Sequence, residues 1–378
     1  MRICIDARNL VFERKWAGTT LYTLRLVESL KRVAPSHEYT LYFNFFRGRL
    51  AGRVPRLKGL HVRTRVLRMP RKYADKLCDD YHFPIDLVTG PFDILHGPAY
   101  ELLYHRGGRS VVSIPDLTFH LHPDWLGSEW REHFIQDVRS SLERADLFIT
   151  ISNFIKGEMI EHLEIPGEKI VVTHLGVEGR FTPHGADGER RVLINRYGLS
   201  RPYLLSVATQ EPKKNLPVLL QAYRILADRL PDPPRLVLVG KRGWETPGIR
   251  EEIDAKGLGR LAIVLGYATM EDLPRLYRHA EIFLFPSIYE GFGLPLLEAM
   301  ASGCPVAASN AASIPEITGD AAVLFDPHDP EAMAVRIEEI LKDRERRMEL
   351  SQRGIERAKS FTWEETARKT LEAYKRLT

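Results

Sequence analysis

The feature that most constrains this chain is its rhythm: short β-branched and aliphatic runs alternate with longer amphipathic stretches along nearly its whole length. Parallel neighbours in a sheet cannot be joined by a tight turn and need a crossover, which a helix supplies. The alternation therefore predicts βαβ units and an α/β fold with doubly wound parallel sheets. In the first half the strand-like runs are Arg2–Asp6, 39–44, 93–96, 110–114, 147–151 and 170–174, and helical patterns fill 19–33, Ser128–Arg144 and Asn153–Leu163. Ser152 stands where an N-cap is needed for the last of these. The pattern lapses over 175–199, a polar, glycine-bearing stretch that reads as a linker. It then restarts with strands at Tyr203–Val207, 236–239, 263–265 and Ile282–Phe285, and with helices at 215–230, 270–279 and from Leu294 onward. The stretch 363–377 is amphipathic and has no strand after it.

A chain of 378 residues is too long for one comfortable core, so two domains are expected. The expected division is a first domain over 1–180, a linker over 181–200, a second domain over 201–357 and a C-terminal helix over 358–378 that packs back on the first domain. No apolar run approaches the roughly 20 residues that span a bilayer, which points to a cytoplasmic address. Cys4, Cys78 and Cys304 are odd in number and widely separated, so they suggest neither a disulfide framework nor a zinc site. The net charge is a mild +4, yet Arg47, Arg49, Arg53, Arg56, Lys58, Arg63, Arg65, Arg68, Arg71, Lys72 and Lys76 crowd one stretch with Asp75 as its only acid. That stretch is either a solvated loop face or a surface drawn to anionic phospholipid or to a phosphate-bearing acceptor. It carries no nucleic-acid-binding signature, so nucleic acid is not an expected partner.

The chemistry concentrates at 289–298, Tyr-Glu-Gly-Phe-Gly-Leu-Pro-Leu-Leu-Glu. An apolar strand ends just before it, and Pro295 suits a first helical turn because its missing N–H has no partner there anyway. Gly291 and Gly293 let the backbone turn and present successive N–H groups, so Phe292, Gly293 and Leu294 lead into a helix N-terminus that favours a phosphate. Glu290 and Glu298 bracket this anion site, the second expected in the first helical turn. Carboxylates repel a phosphate but accept hydrogen bonds from hydroxyls, so they suit a sugar on one side and a ribose on the other. The plainer alternative makes Glu290 a solvated loop acid and Glu298 a complement to the helix dipole.

Lys213 and Lys214 follow the strand 203–207 and open a helix, where cations are poor partners for the positive dipole end; outside a strand's carboxyl end they can neutralise a diphosphate. Gly240 and Lys241, after the strand 236–239, and Tyr267, after 263–265, add contacts to a nucleotide. Gly18 lies before the first helix, as a second possible phosphate cradle or simply a turn. None of these glycines forms the G-x-G-x-x-G directly after a strand that a nicotinamide-binding unit requires.

Taken together these residues resemble family 4 of the retaining glycosyltransferases, whose GT-B fold places two Rossmann-like domains face to face across a cleft. The resemblance covers nearly the whole chain: Glu290 to Glu298 match the family's paired-glutamate element, Lys213-Lys214-Asn215 its basic element and Gly18 its first-lobe loop. It implies that the first domain binds the acceptor and the second a nucleoside-diphosphate sugar. Lys213 and Lys214 would hold the diphosphate, Glu290 the donor sugar and Glu298 the ribose, with no metal or other cofactor. The departing phosphate would help deprotonate the acceptor. Many relatives carry a His-Asp pair where this chain has Pro115-Asp116, so Asp116 is left as the acceptor-side acid, with His96, His120 or His122 as substitutes for the missing histidine. The run 114–124 is similar to bacterial mannosyltransferases of surface-polysaccharide assembly. It favours GDP-mannose as donor, with UDP-sugars open, and a saccharide or lipid-linked acceptor at the inner membrane surface. A sugar-nucleotide epimerase, a phosphorylase and a non-catalytic nucleotide-sugar-binding regulator are the alternatives.

Overall fold

The computed structural model describes residues 1–12, 18–46, 62–70, 73–74, 77, 81–126, 128–240 and 248–378. By internal contacts the chain forms two compact units. The first comprises Met1–Pro123, Ser128–Gly176 and Trp363–Thr378; the second comprises Val177–Thr362 with the short piece Asp124–Gly127.

The first unit is built on a seven-stranded sheet: β1 (Arg2–Asp6), β2 (Glu38–Asn44), β3 (Arg63–Leu67), β4 (Ile94–Gly97), β5 (Arg109–Ser113), β6 (Leu147–Thr150) and β7 (Ile170–Val172). Their spatial order is β3-β2-β1-β4-β5-β6-β7, and every neighbouring pair is parallel. The order reverses direction between β1 and β4, which makes that junction the switch point of the sheet. Strands β4 and β6 are buried along their whole length, as a sheet covered on both faces requires. Ser152 caps helix Asn153–Leu163 as expected, accepting from Ile155 N at 3.2 Å. Helix Trp363–Lys375 lies against helix Gly18–Val33, with Trp363 beside Tyr22 at 6.5 Å. Its Tyr374 reaches His96 at the end of β4, the hydroxyl 2.6 Å from Nδ1.

The second unit repeats the plan with six strands: β8 (Tyr203–Val207), β9 (Arg235–Val239), β10 (Ala262–Gly266), β11 (Ile282–Phe285), β12 (Val306–Ser309) and β13 (Ala322–Phe325). They run in the order β10-β9-β8-β11-β12-β13, again all parallel, with the switch point between β8 and β11. Helices Leu216–Arg229 and Pro330–Lys342 pack together over one face, around Leu219, Tyr223, Leu226, Met333 and Ile337.

Two departures from the sequence reading have clear causes. The polar stretch taken as a linker contains a helix, Glu189–Tyr197, closed by Gly198 in a left-handed conformation. It looks like a loop because charges, not apolar residues, attach it: Glu189 pairs with Arg278 at 2.6 Å, and Arg196 and Tyr197 both bind the fully buried Asp272. The basic stretch contains β3, whose Arg63, Thr64 and Arg65 are exposed. An edge strand protected by charge has no alternating apolar pattern to betray it.

Candidate functional site

Beyond β8 the chain makes a single turn at Pro212–Lys214, and Asn215 then adopts a left-handed conformation with φ 53° before helix Leu216–Arg229. Asparagine tolerates that region better than most side chains. Its amide donates to Pro286 O at 3.2 Å and to Pro327 O at 2.7 Å, while Ile288 N donates to Lys213 O at 2.9 Å. These bonds stitch the loop after β8 to the loop after β11, directly at the switch point.

The second loop is equally held. Ser313 Oγ lies 2.9 Å from Glu290 O and 3.2 Å from Phe292 O. Phe292 is buried and meets Phe361 edge-on at 5.9 Å, so its side chain anchors the loop. Gly293 turns at φ 98° and caps helix Leu294–Ala301, with Pro295 in its first turn. Gly291 is buried beside them.

Lys214 Nζ forms an ion pair with Glu290 Oε1, both side chains largely buried, and lies 5.5 Å from the centre of the Phe285 ring. Sequence reasoning treated this lysine as a phosphate cation and this glutamate as a separate hydroxyl clamp; the structure makes them one neutral pair. Glu298 is the fifth residue of its helix, so it sits in the second turn and not, as expected, the first. Its Oε2 accepts from Tyr277 at 2.9 Å, and burial above all raises its pKa to about 8. That shift favours the protonated form of Glu298, the form that can donate as well as accept. Sequence reasoning missed Tyr277, which the amphipathic pattern of its helix presents simply as a core residue.

Gly240 closes β9 with φ 154°, its N donating to Gly266 O at 2.7 Å, and a Cβ there would overlap Ala208 O. Ser206, Ala208, Gln210, Leu216, Leu238, Val239 and Gly240 line a small pocket at the ends of β8 and β9. The buried Ser206 hydroxyl has no partner among the described residues. Tyr267 is 48% exposed just beyond β10. Lys241 lies outside the described residues, as do Arg47, Arg49, Arg53, Arg56, Lys58, Arg71, Lys72, Asp75 and Lys76.

In the first unit Gly18 opens helix Gly18–Val33 and is exposed. Asp116 lies beyond β5, its Oδ1 accepting from Thr118 N and from Tyr100 Oη, both at 3.0 Å. His96 is not a ligand-facing histidine here. It is fully buried, Nδ1 against Tyr374 and Nε2 2.8 Å from Ser113 Oγ, and burial lowers its pKa to about 3. A neutral core histidine with both nitrogens engaged cannot stand in for the one absent at Pro115. His120 is exposed on the short helix Thr118–Leu121.

Two family models match the chain: "Glycosyltransferase Family 4" over 16–179 and "Glycosyl transferases group 1" over 194–357. The chain is 36% identical over 285 residues to O-antigen chain mannosyltransferase B of Escherichia coli, covering 75% of this chain and 74% of that one. It is 31% identical over 327 residues to the serotype-specific mannosyltransferase WbdA of Escherichia coli, covering 84% of this chain but only 39% of that protein's length. Among solved structures it resembles WaaG, a glycosyltransferase involved in lipopolysaccharide biosynthesis, with a TM-score of 0.74, 15% identity and 98% of each chain covered. It also resembles Anabaena HepE, solved in complex with UDP and glucose, with a TM-score of 0.74, 16% identity and 98% of each chain covered. These likenesses establish the GT-B architecture of the fold.

Proposed function

The chain belongs to the family 4 glycosyltransferases and moves a sugar; we propose that the sugar is mannose, carried on GDP and transferred with retention of anomeric configuration to a hydroxyl of a saccharide or lipid-linked saccharide. The observation that carries this reading is the meeting of Lys214, Glu290 and the glycine-bounded start of helix Leu294–Ala301 at one switch point. The similarity to two mannosyltransferases supports the choice of sugar.

In this reading Lys213, Lys214 and the N–H groups of Gly291 to Leu294 hold the donor diphosphate, and no metal is required. The arriving phosphates take over Lys214 and release Glu290 to bind hydroxyls of the donor sugar. Glu298 binds the ribose, and Gly240 and Tyr267 border the nucleotide. The bond from the anomeric carbon to the diphosphate breaks as the acceptor oxygen bonds to that carbon on the same face. The acceptor's proton passes to the departing phosphate, and Asp116 serves the acceptor side. Exposed Arg63, Arg65 and Arg68, with exposed Phe46, Tyr73 and Tyr81 in the same unit, support docking at an anionic membrane surface. No helix among the described residues is long and apolar enough to cross a membrane.

The test is a thermal-shift panel of GDP, GDP-mannose, UDP and UDP-glucose, followed by transfer to a mannoside with the product anomer assigned by NMR. GDP-mannose is expected to raise the melting temperature and yield an α-linked product. A rise confined to the uridine nucleotides would replace this donor with a UDP-sugar, the reading that the likeness to a UDP-bound structure supports. An inverted product would overturn retention.

A further inference from the structure

We propose that Tyr100 is a positioning residue on the acceptor side: its hydroxyl orients Asp116 while its ring forms a wall of the acceptor site. The inference rests on the transfer reaction proposed above.

Tyr100 stands three residues past the end of β4 with φ 68°, in the left-handed region that a bulky side chain seldom occupies. Such strain persists only where the surroundings over-determine it, and it collects at functional sites. The surroundings here are explicit. Tyr100 N donates to Ser113 O at 3.0 Å and Glu101 N to Ala99 O at 2.8 Å. A Cβ on Gly97 would overlap Glu101 O, so only glycine admits this bend. The Glu101 carboxylate binds Arg8 at 2.7 Å, and Arg8 grips Asp6 at the end of β1 through both Nε and a terminal nitrogen. The loop is thus clamped to β1 on one side and β5 on the other, across the switch point of the first sheet. In α/β sheets ligands bind at such a place.

The side chain continues the pattern. Its ring meets Phe134 edge-on at 5.1 Å and Phe119 at 5.9 Å, and the residue remains partly exposed. Its hydroxyl and Thr118 N both donate to Oδ1 of Asp116. Two donors on one oxygen fix the plane of the carboxylate and therefore the direction of its other oxygen. Packing alone would be met equally by phenylalanine; the hydroxyl on Asp116 is what requires tyrosine.

The experiment compares wild type, Tyr100→Phe, Asp116→Asn and the double variant, using GDP-mannose and benzyl α-mannoside. Tyr100→Phe is expected to lower kcat about tenfold with a smaller change in acceptor KM, and to leave the GDP-induced rise in melting temperature intact. The double variant should be no slower than Asp116→Asn alone, because the hydroxyl acts through that carboxylate. A purely structural role would move melting temperature and both substrates' KM together, with additive losses. Wild-type kcat in Tyr100→Phe, or additive losses in the double variant, overturns the inference while leaving the transfer reaction standing. Should Tyr100→Phe fail to fold, undiminished kcat in Asp116→Asn overturns it instead. No transfer by the wild type with this substrate pair overturns the mannosyl reading, and this inference with it.

Discussion

Replacing Glu298 by Gln removes a charge that the fold disfavours, and the size of that disfavour sets a pH signature. Burial is the largest influence on this carboxyl; the Tyr277 hydrogen bond opposes it, Glu178 adds to it and Arg180 opposes it, with a net rise from 4.5 to about 8. Between those two values the folded state keeps a proton that the unfolded chain has released, so stability falls as pH rises through the window. The span from 4.5 to about 8, at about 1.4 kcal/mol per unit, sets a ceiling of about 5 kcal/mol. Glutamine is neutral throughout and escapes this loss. Melting temperatures of wild type and Glu298→Gln, followed from about pH 5 to about pH 9, should diverge in favour of the variant by about 2–4 °C per kcal/mol. Histidine titrations common to both proteins cancel in the difference. Parallel curves, or a wild type that gains on the variant toward alkaline pH, would refute the reasoning. Tyr277→Phe offers an internal control: the Tyr277 bond favours the charged form, so its loss should push the divergence to higher pH.

Lys214→Ala should abolish transfer and leave the Glu290 carboxylate buried without its cation, a loss of about 3–5 kcal/mol readable in urea unfolding, part of which Lys214→Ala with Glu290→Ala should recover. Asn215→Ala gives up two hydrogen bonds and a tolerated left-handed backbone, about 2–3 kcal/mol by the same measurement, whereas Asn215→Gly should lose only the hydrogen-bond share. Gly240→Ala drives a methyl group into Ala208 O at a φ closed to alanine, so it should lose at least about 4 kcal/mol or yield no soluble protein. Binding to vesicles of anionic phospholipid, followed by co-sedimentation, should be strong at low salt and weaken as salt screens the arginines; no sedimentation at low salt removes the membrane surface from the proposal.

Most strands of both sheets were legible because burial on two faces forces apolar strands of recognisable length, as at β4 and β11; β12 and β13 went unread, β12 being built largely of small residues. β3 was not legible: an edge strand has one open side and protects itself with Arg63 and Arg65, the same residues that suggested a loop. Helix Glu189–Tyr197 was missed for a related reason, since its attachment through Glu189, Arg196 and Tyr197 leaves no apolar stripe to detect. At the site, the glycines and the proline of 291–295 announced their geometry because few other residues permit it. Side-chain partnership between distant positions leaves no such trace.

That difference explains what the sequence reading of the site left out. His96 carries the right chemistry for a substrate ligand, and only the arrival of Tyr374 from the far end of the chain shows that its nitrogens are engaged. Lys214 and Glu290 each carry the right chemistry for a separate subsite, yet the stitching by Asn215 and Ile288 brings them into contact. The contact constrains the reaction: a donor that uses both residues must separate them. In the proposed reaction its diphosphate would replace the carboxylate on Lys214 while its sugar hydroxyls would replace the lysine on Glu290, so neither charge would be left without a partner in the loaded site. A free diphosphate without a sugar satisfies only Lys214 and strands Glu290. The intact donor should therefore bind more tightly than its nucleoside diphosphate, and Glu290→Gln should narrow that gap in a calorimetric titration. An unchanged gap would mean that the pair stays closed when the donor is bound.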